Sequence, residues 1–310
     1  MIILRDDDGQ RLDRFLKKIF PFVTFGQTQK LIRTGQIRIN GGRVKQDARL
    51  NEGDELRLPP SLQDGDTTKP KIQFDQRDRD FLNDIVLFED ADILVLNKPN
   101  GLAVQGGSKT THHIDGLLNS YMKKGVKPRL CHRLDKDTSG ILILAKTADA
   151  ARSLTKQFQS HEVQKTYWAL CTPAPEEPNG TINAPIGKAP VYKDGGEIMA
   201  MDEENGKHAI TDFEIIDRAG KEVAFVAFYP KTGRTHQIRV HARIIDAPIL
   251  GDAKYNDNPH PYDMPEIHRG LHLHAREITL RHPTTKQEIS FQADLPKKLS
   301  ISWKSLGFNV

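Results

Sequence analysis

Five short apolar runs, at residues 85–88, 93–96, 140–145, 167–171 and 223–228, are set among helical patterns at 149–160 and 236–245. Runs of four to six residues match the length of strands and fall short of a buried helix. Strands mixed irregularly with helices predict an α+β domain instead of a strictly alternating parallel sheet. The first two runs read as buried strands that open this domain. No internal repeat and no long low-complexity tract interrupts it.

The N-terminal part has a different character. Residues 11–50 carry ten Lys and Arg against two acids, Asp13 and Asp47, although the whole 310-residue chain has a net charge of only +4. Leu12, Phe15, Leu16 and Ile19 recur at helical spacing, and 27–33 reads as a second short helix stopped by Gly35. Ile37 and Ile39 alternate with polar neighbours, and Gly41-Gly42 and Gly53-Asp54 mark turns of a small strand set. The prediction is an αα-β unit over 1–60 with a basic face built from Arg11, Arg14, Lys30, Arg33, Arg38 and Arg43. Pro59-Pro60, a polar stretch and the charged run at 76–80 predict a linker over 61–80, followed by a larger domain over 81–310.

Composition removes several classes. Hydrophobic residues make up 37% of the chain and no apolar run approaches the roughly 20 residues that span a bilayer, so no membrane partner is expected. Cys131 and Cys171 are the only cysteines, too few for a disulfide scaffold or a four-cysteine zinc site, and a reducing cytoplasm is the expected location. The acidic start MIILRDDDGQ argues against a secretory leader or an organelle transit peptide. His112-His113, His236 with His241 and His272 with His274 do not form a recognised zinc spacing, so no metal is expected. His272 and His274 read as one face of a strand whose other face carries Leu271 and Leu273. The loop at 97–107 bears glycines at neither the phosphate-loop nor the dinucleotide spacing, and no cofactor is assigned to it.

Two polar constellations remain. Cys131-His132-Arg133-Leu134-Asp135-Lys136-Asp137-Thr138-Ser139-Gly140 runs straight into an apolar strand, an arrangement that holds a side chain rigidly at a cleft edge. Asp135 lies between Arg133 and Lys136, cations that favour an ionised carboxylate available as a nucleophile; the alternative is a solvated surface turn tied by salt bridges. Lys231-Thr232-Gly233-Arg234-Thr235-His236-Gln237-Ile238-Arg239-Val240-His241 turns at Gly233 into a helix with Arg239 and Arg243 on one face. A helix start behind Arg234 and Thr235 suits a phosphate; the alternative is an amphipathic helix with ordinary basic decoration.

The stretch His132 to Gly140 resembles the signature of the RluA-type pseudouridine synthase family. Leu96-Asn97-Lys98-Pro99-Asn100-Gly101, Lys165-Thr166-Tyr167-Trp168-Ala169-Leu170 and Thr232 to His241 occur in that family's order, the match spans about residues 85–295, and the N-terminal unit resembles an S4 RNA-binding domain. The resemblance implies a pseudouridine synthase fold, with a central, mostly antiparallel mixed sheet flanked by helices. It implies an isomerase that needs no cofactor. Asp135 would be the nucleophile that attacks a flipped-out uridine or removes a sugar proton. Tyr167 would stack on the base, and Arg239, or as second choice Arg234, would pair with Asp135. His132, Arg133, Arg234, Thr235, His236, Leu273 and Lys98 would line the substrate cleft, with Arg133 able to fill the space the base leaves. Gln105 stands where the family would have His, a departure that bears on the subgroup. The Gln105-Gly106-Gly107-Ser108 stretch and the separate S4-like unit look most like the C-type subgroup, whose members modify large-subunit ribosomal RNA. The expected partner is therefore that RNA or its precursor, and the enzyme is expected to be a monomer.

Two other classes compete. A carbohydrate hydrolase would use Asp135 with Asp137, but a pair two residues apart does not straddle a scissile bond. A catalytically silent RNA-binding protein would need only the S4-like unit and the basic loops, and leaves Asp135, Tyr167 and Arg239 without a purpose.

Overall fold

Buried side chains at positions 12, 15 and 16 make the first helix, α1 (Leu12–Ile19), because that spacing puts Leu12, Phe15 and Leu16 on one face. In this computed structural model, which describes residues 1–20, 23, 25–63, 76–106, 112–122, 126–189 and 198–310, α1 and α2 (Phe25–Arg33) precede three strands of two residues. These are β1 (Arg38–Ile39), β2 (Gly42–Arg43) and β3 (Leu56–Arg57), an antiparallel set in the order β2-β1-β3. Leu12, Phe15, Leu16, Ile32, Ile37, Leu50 and Leu56 form this unit's own core. Each such side chain contributes about 1.5–3 kcal/mol of burial. The chain divides into two units, Met1–Gln73 and Phe74–Val310.

The linker expectation needs correction. α3 (Pro60–Gln63) and α4 (Gln76–Asp84) occupy its two ends, while 64–75 lie outside the described residues. α4 escaped notice because a single apolar position, Leu82, is buried along it, and its remaining surface is the charged run that looked like linker. Gln76 also donates to Asp80 one turn later, at 2.7 Å.

The second unit is built on one ten-stranded sheet. Its first strands are β4 (Val86–Glu89), β5 (Ile93–Lys98), β6 (Arg129–Leu130) and β7 (Ser139–Ala145), with α5 (Ile114–Leu117) between β5 and β6. After α6 (Ala148–Gln159) come β8 (Gln164–Cys171), β9 (Asn179–Asn183), the hairpin pair β10 (Ile186–Lys188) and β11 (Met199–Met201), β12 (Ile210–Ala219) and β13 (Val223–Pro230). α7 (Gln237–Ile244), β14 (Leu273–Arg281), β15 (Glu288–Gln292) and α8 (Lys297–Ser305) complete the chain. The order is β4-β5-β7-β14-β8-β13-β12-β9, with β6 on β7 and β15 on β14, while β10 and β11 pair by themselves. Among the described residues, every pairing within this ten-stranded sheet is antiparallel except β14 with β7, so this is the mixed α+β sheet expected.

Both faces of the sheet are covered, as period-two alternation along β5 and β7 shows. Leu94, Leu96, Leu142 and Leu144 enter one core with α5, while Ile93, Val95, Ile141 and Ile143 enter another with Ala150 and Leu154 of α6. β4 departs from its expectation as a buried strand: at the sheet edge, Leu87 and Phe88 are exposed.

The parallel pairing brings β7 and β14 unusually close. A Cβ at Gly140, which has φ of +108°, would lie 2.2 Å from the carbonyl oxygen of Ala275. Only glycine fits there. The loop leading into β7 is thereby set directly beside the start of β14.

Candidate functional site

Asp135 sits on the loop between β6 and β7, and this loop is tied down on both sides of it. Leu134 is buried in the core beneath α5. On the other side, Lys98 at the end of β5 donates from Nζ to the carbonyls of Pro99, Leu102 and Lys136 at 2.9, 2.8 and 3.0 Å. Further on, the Ser139 hydroxyl meets His274 Nδ1 at 2.9 Å. The Asp135 side chain itself keeps about a fifth of its surface open, whereas Asp137 is exposed. Two acids so differently placed do not form the facing pair that a hydrolase needs.

Lys98 differs from its expectation as a cleft residue. It is fully buried, and burial pushes its pKa down to about 7, against the attraction of Asp137 and Asp135. Its place is beneath the Asp135 loop, as a brace, because three inward-pointing carbonyls would otherwise be orphaned.

Arg239, on α7, approaches Asp135 from the opposite side. Its Nη1 lies 3.6 Å from Asp135 Oδ2, while Nε and Nη2 each donate to Asp252 at 2.7 Å. Asp252 is 1% exposed, so this fork is a desolvated, two-point contact that orients the guanidinium. Burial works against the Arg239 charge, but Asp252, with Asp135 and Tyr255 adding to it, more than offsets it and the pKa rises. The loop into α7 is held by Gln237, whose Oε1 accepts from Thr232 Oγ1 at 2.8 Å and from the Arg234 amide at 2.9 Å.

His236 closes the approach to the carboxylate. Its Nε2 is 3.8 Å from Asp135 Oδ2 and its Nδ1 is 2.6 Å from the hydroxyl of Tyr255. That hydroxyl also accepts from the Met199 amide at 3.0 Å; the tautomer in which it donates to Nδ1 is the one that turns an imidazole N–H toward Asp135. Burial holds the His236 pKa below its ordinary value. The residue caps α7 in the left-handed region, at φ of 55°, a conformation that costs a non-glycine residue of order 1 kcal/mol. The helix accordingly begins at Gln237, one residue later than its pattern implied.

Asp135, Arg239 and His236 share a cleft of about 280 Å³ with Tyr167, Leu273, His132 and Arg133, at the small end of ligand sites. Tyr167 lies in the middle of β8, paired with Phe228 and Ala275. Burial, aided by Asp135, raises the phenol's pKa and keeps it protonated. Leu273 is 3% exposed and forms apolar wall. His132 stacks on Phe158 with ring centroids 4.3 Å apart and accepts the Ile143 amide at Nε2 at 2.9 Å. Burial, and to a lesser extent Lys165, pushes its pKa down to about 3. His132 is therefore a neutral strut at one end of the cleft. Arg133 is exposed at the mouth, as is Thr235.

Arg234 lines the cleft, but its Nε donates to the His208 carbonyl at 2.9 Å, so Arg239 and not Arg234 faces Asp135. Gln105 is exposed and is not among the residues lining the cleft. Gly107 and Ser108 lie outside the described residues. His272 and His274 are both fully buried, and Leu271 and Leu273 are nearly so, so both faces of that segment are largely interior. Among the described residues, no group of three or more His, Cys, Asp or Glu could hold a metal ion.

In the N-terminal unit, Arg14, Lys30, Arg33 and Arg43 are exposed. Arg11 is engaged by Asp13 at 2.8 Å and Arg38 donates to the carbonyls of Gly35 and Gly41. Strand register adds a residue that composition did not single out. Arg38 pairs with Arg43 on one side and with Arg57 on the other, so three arginines stand in a row across the small sheet.

Sequence reasoning missed Asp252, Tyr255, Gln237 and Arg57. Asp252 and Tyr255 lie in a loop with no periodicity, and only the partner arginine hinted at a carboxylate to hold it.

Comparison with known proteins identifies both units. Residues 92–243 match the model of the RNA pseudouridylate synthase family, and residues 10–56 match the S4 domain. The chain is 37% identical over 307 residues to ribosomal large subunit pseudouridine synthase C of Buchnera aphidicola, covering 98% of this chain and 96% of that one. It is 35% identical over 303 residues to the protein of the same name from Salmonella typhi, covering 96% and 93%. Among solved structures, human RNA pseudouridylate synthase domain containing 4 aligns with a TM-score of 0.61 at 30% identity, over 74% of this chain and 97% of that one.

Proposed function

The chain belongs to the RNA pseudouridylate synthase family and carries an S4 domain, and on that premise we propose that it converts specific uridines of large-subunit ribosomal RNA to pseudouridine, with Asp135 as the nucleophile. The observation that carries this reading is the placement of one partly open carboxylate in a cleft with Tyr167, held from behind by an arginine that is itself fixed by a buried acid. The names of its relatives supply the class of RNA.

The residues divide the work as follows. Extruding a uridine costs a few kcal/mol, which stacking and phosphate contacts offset. Tyr167 offers a ring for the base, Leu273 an apolar wall, and Arg133 at the mouth a planar group able to stack where the base was. Asp135 acts at the sugar, either by attack at C1′ or by taking a proton from C2′, and the C1′–N1 bond breaks. Arg239 and His236 flank the carboxylate at 3.6 and 3.8 Å and keep it oriented through the reaction. The base turns within the cleft and C5 bonds to C1′, which in the first route breaks the Asp135–C1′ ester and in the second is accompanied by return of the proton from Asp135 to C2′; the C5 proton then leaves and N1 takes one up, so the product is an isomer of the substrate.

The S4 unit, with Arg14, Lys30, Arg33, Arg43 and the row completed by Arg38 and Arg57, is read as a phosphate grip. The reading also takes the enzyme to be a cytoplasmic monomer working without a cofactor; no helix of the described residues is long and apolar enough to cross a membrane. Mapping pseudouridines by chemical labelling in ribosomal RNA from cells with and without this protein tests the function. Sites in large-subunit RNA that vanish with the protein are expected; identical maps would overturn the reading.

A further inference from the structure

Lys165 enters the same cleft without a role in the chemistry above. It stands two residues before Tyr167 on β8, so the two side chains share a face of the strand, and both line the cleft that holds Asp135. Its Nζ makes one long hydrogen bond, 3.4 Å, to the carbonyl of Thr232, and no carboxylate of the described residues pairs with it. Removal from water with no counter-ion pushes its pKa down to about 8.

The other cations of the cleft are spoken for or in water. Arg239 is committed to Asp252 and Asp135, Arg234 donates to a backbone carbonyl, and Arg133 is exposed. An ammonium that is both partly desolvated and unpaired is unfavourable in the empty site, and it gains most when a negative charge arrives beside it.

The isomerisation produces such a charge. When C1′–N1 breaks, the electron pair stays with the base, leaving a uracil anion spread over N1, O2 and O4 until C5 bonds to C1′. Resting on the reading of the site as a pseudouridine synthase, we propose that Lys165 is a further catalytic residue, the hydrogen-bond donor that stabilises the detached uracil anion. Lys165 keeps its protons throughout; the C5 proton leaves and N1 is protonated as before. The competing role for a lysine here is a plain contact to the substrate phosphate.

Leaving-group dependence separates the two. Single-turnover rates would be measured on a large-subunit RNA fragment bearing one mapped target, once with uridine and once with 5-fluorouridine at that position, following loss of the parent nucleoside in nuclease digests. Fluorine withdraws electron density and stabilises the base anion by itself. Lys165→Met is expected to slow the uridine substrate by about 10²-fold or more, as loss of one donor to a developing anion does, and to slow the 5-fluorouridine substrate by less than about tenfold, with RNA Kd little changed. Lys165→Arg should restore most of the rate, and Lys165→Gln gives a second neutral variant should the Met protein misfold. Equal losses on both substrates, a weakened Kd with unchanged rate, or no loss at all would overturn the assignment. Asp135→Asn should be inactive on both; if it were active, the reading of the site would fail first.

Discussion

Asp252 holds Arg239 by two hydrogen bonds of 2.7 Å while the third arm of the same guanidinium faces Asp135 at 3.6 Å. The buried acid therefore acts on the proposed nucleophile only through the arginine. Replacing Asp252 by Asn retains one acceptor and removes the charge. Breaking a buried ion pair typically costs about 3–5 kcal/mol, so Asp252→Asn is expected to lower the unfolding midpoint and to reduce kcat at least tenfold while KM stays near its original value. A variant with undiminished kcat would show that Arg239 needs no such support.

Lys98 makes a prediction about pH. Its native pKa of about 7 lies below the 10.5 of an unperturbed lysine, so between those values the unfolded chain binds the extra proton. Stability should then rise with pH across that window, by up to about 1.4 kcal/mol per pH unit. Lys98→Met lacks the group and should lack this part of the slope, while being less stable through three orphaned carbonyls. Parallel stability curves for the two proteins from pH 7 to 10 would contradict the assignment.

Buried histidines shape the acid side. Burial pushes His132 to about 3 and His272 and His274 to about 4, so from pH 6.5 downward the unfolded state takes up protons that the native state refuses. Each can remove up to about 1.4 kcal/mol per pH unit below its unfolded value. Urea titrations at pH 7 and pH 5 should show a marked fall in stability, and a smaller fall for His274→Gln. An equal fall in the variant would mean that other groups set the acid response.

These groups also show where reading a sequence stops. Asp135, Tyr167 and Arg239 stand in contiguous motifs, and the structure brings all three to one cleft. The five apolar runs all became strands because periodicity is a local property. Asp252 was not legible, since its partner is chosen by the fold and no pattern marks the loop that carries it. Lys98 reads as a cleft residue from the sequence because its three carbonyl acceptors appear only once β5 and the Asp135 loop are packed. The place of β14 between β7 and β8, more than a hundred residues away in the chain, is set by long-range pairing, and Gly140 admits the close contact it needs. The Arg43-Arg38-Arg57 row depends on strand register, which composition cannot supply.

That row supports a prediction for RNA affinity. Like charges directly opposite on neighbouring strands are unfavourable, and both Arg43 and Arg57 are exposed. Changing Arg43 and Arg57 together to Gln is expected to leave thermal stability equal or slightly raised. It should weaken RNA binding and flatten its salt dependence by about one to two in log-log slope, with kcat at saturating RNA unchanged. An unaltered salt slope would remove these two residues from the RNA-binding surface.

The account depends most on the carboxylate in the cleft. Single-turnover pseudouridine formation by Asp135→Asn on purified large-subunit RNA, with RNA binding measured in parallel, tests it directly. The expected result is no detectable product with Kd within about threefold of the parent protein, because an exchange of oxygen for amide at one partly open side chain leaves the binding surface intact. Turnover at a rate close to that of the parent would contradict the assignment of Asp135 as the nucleophile.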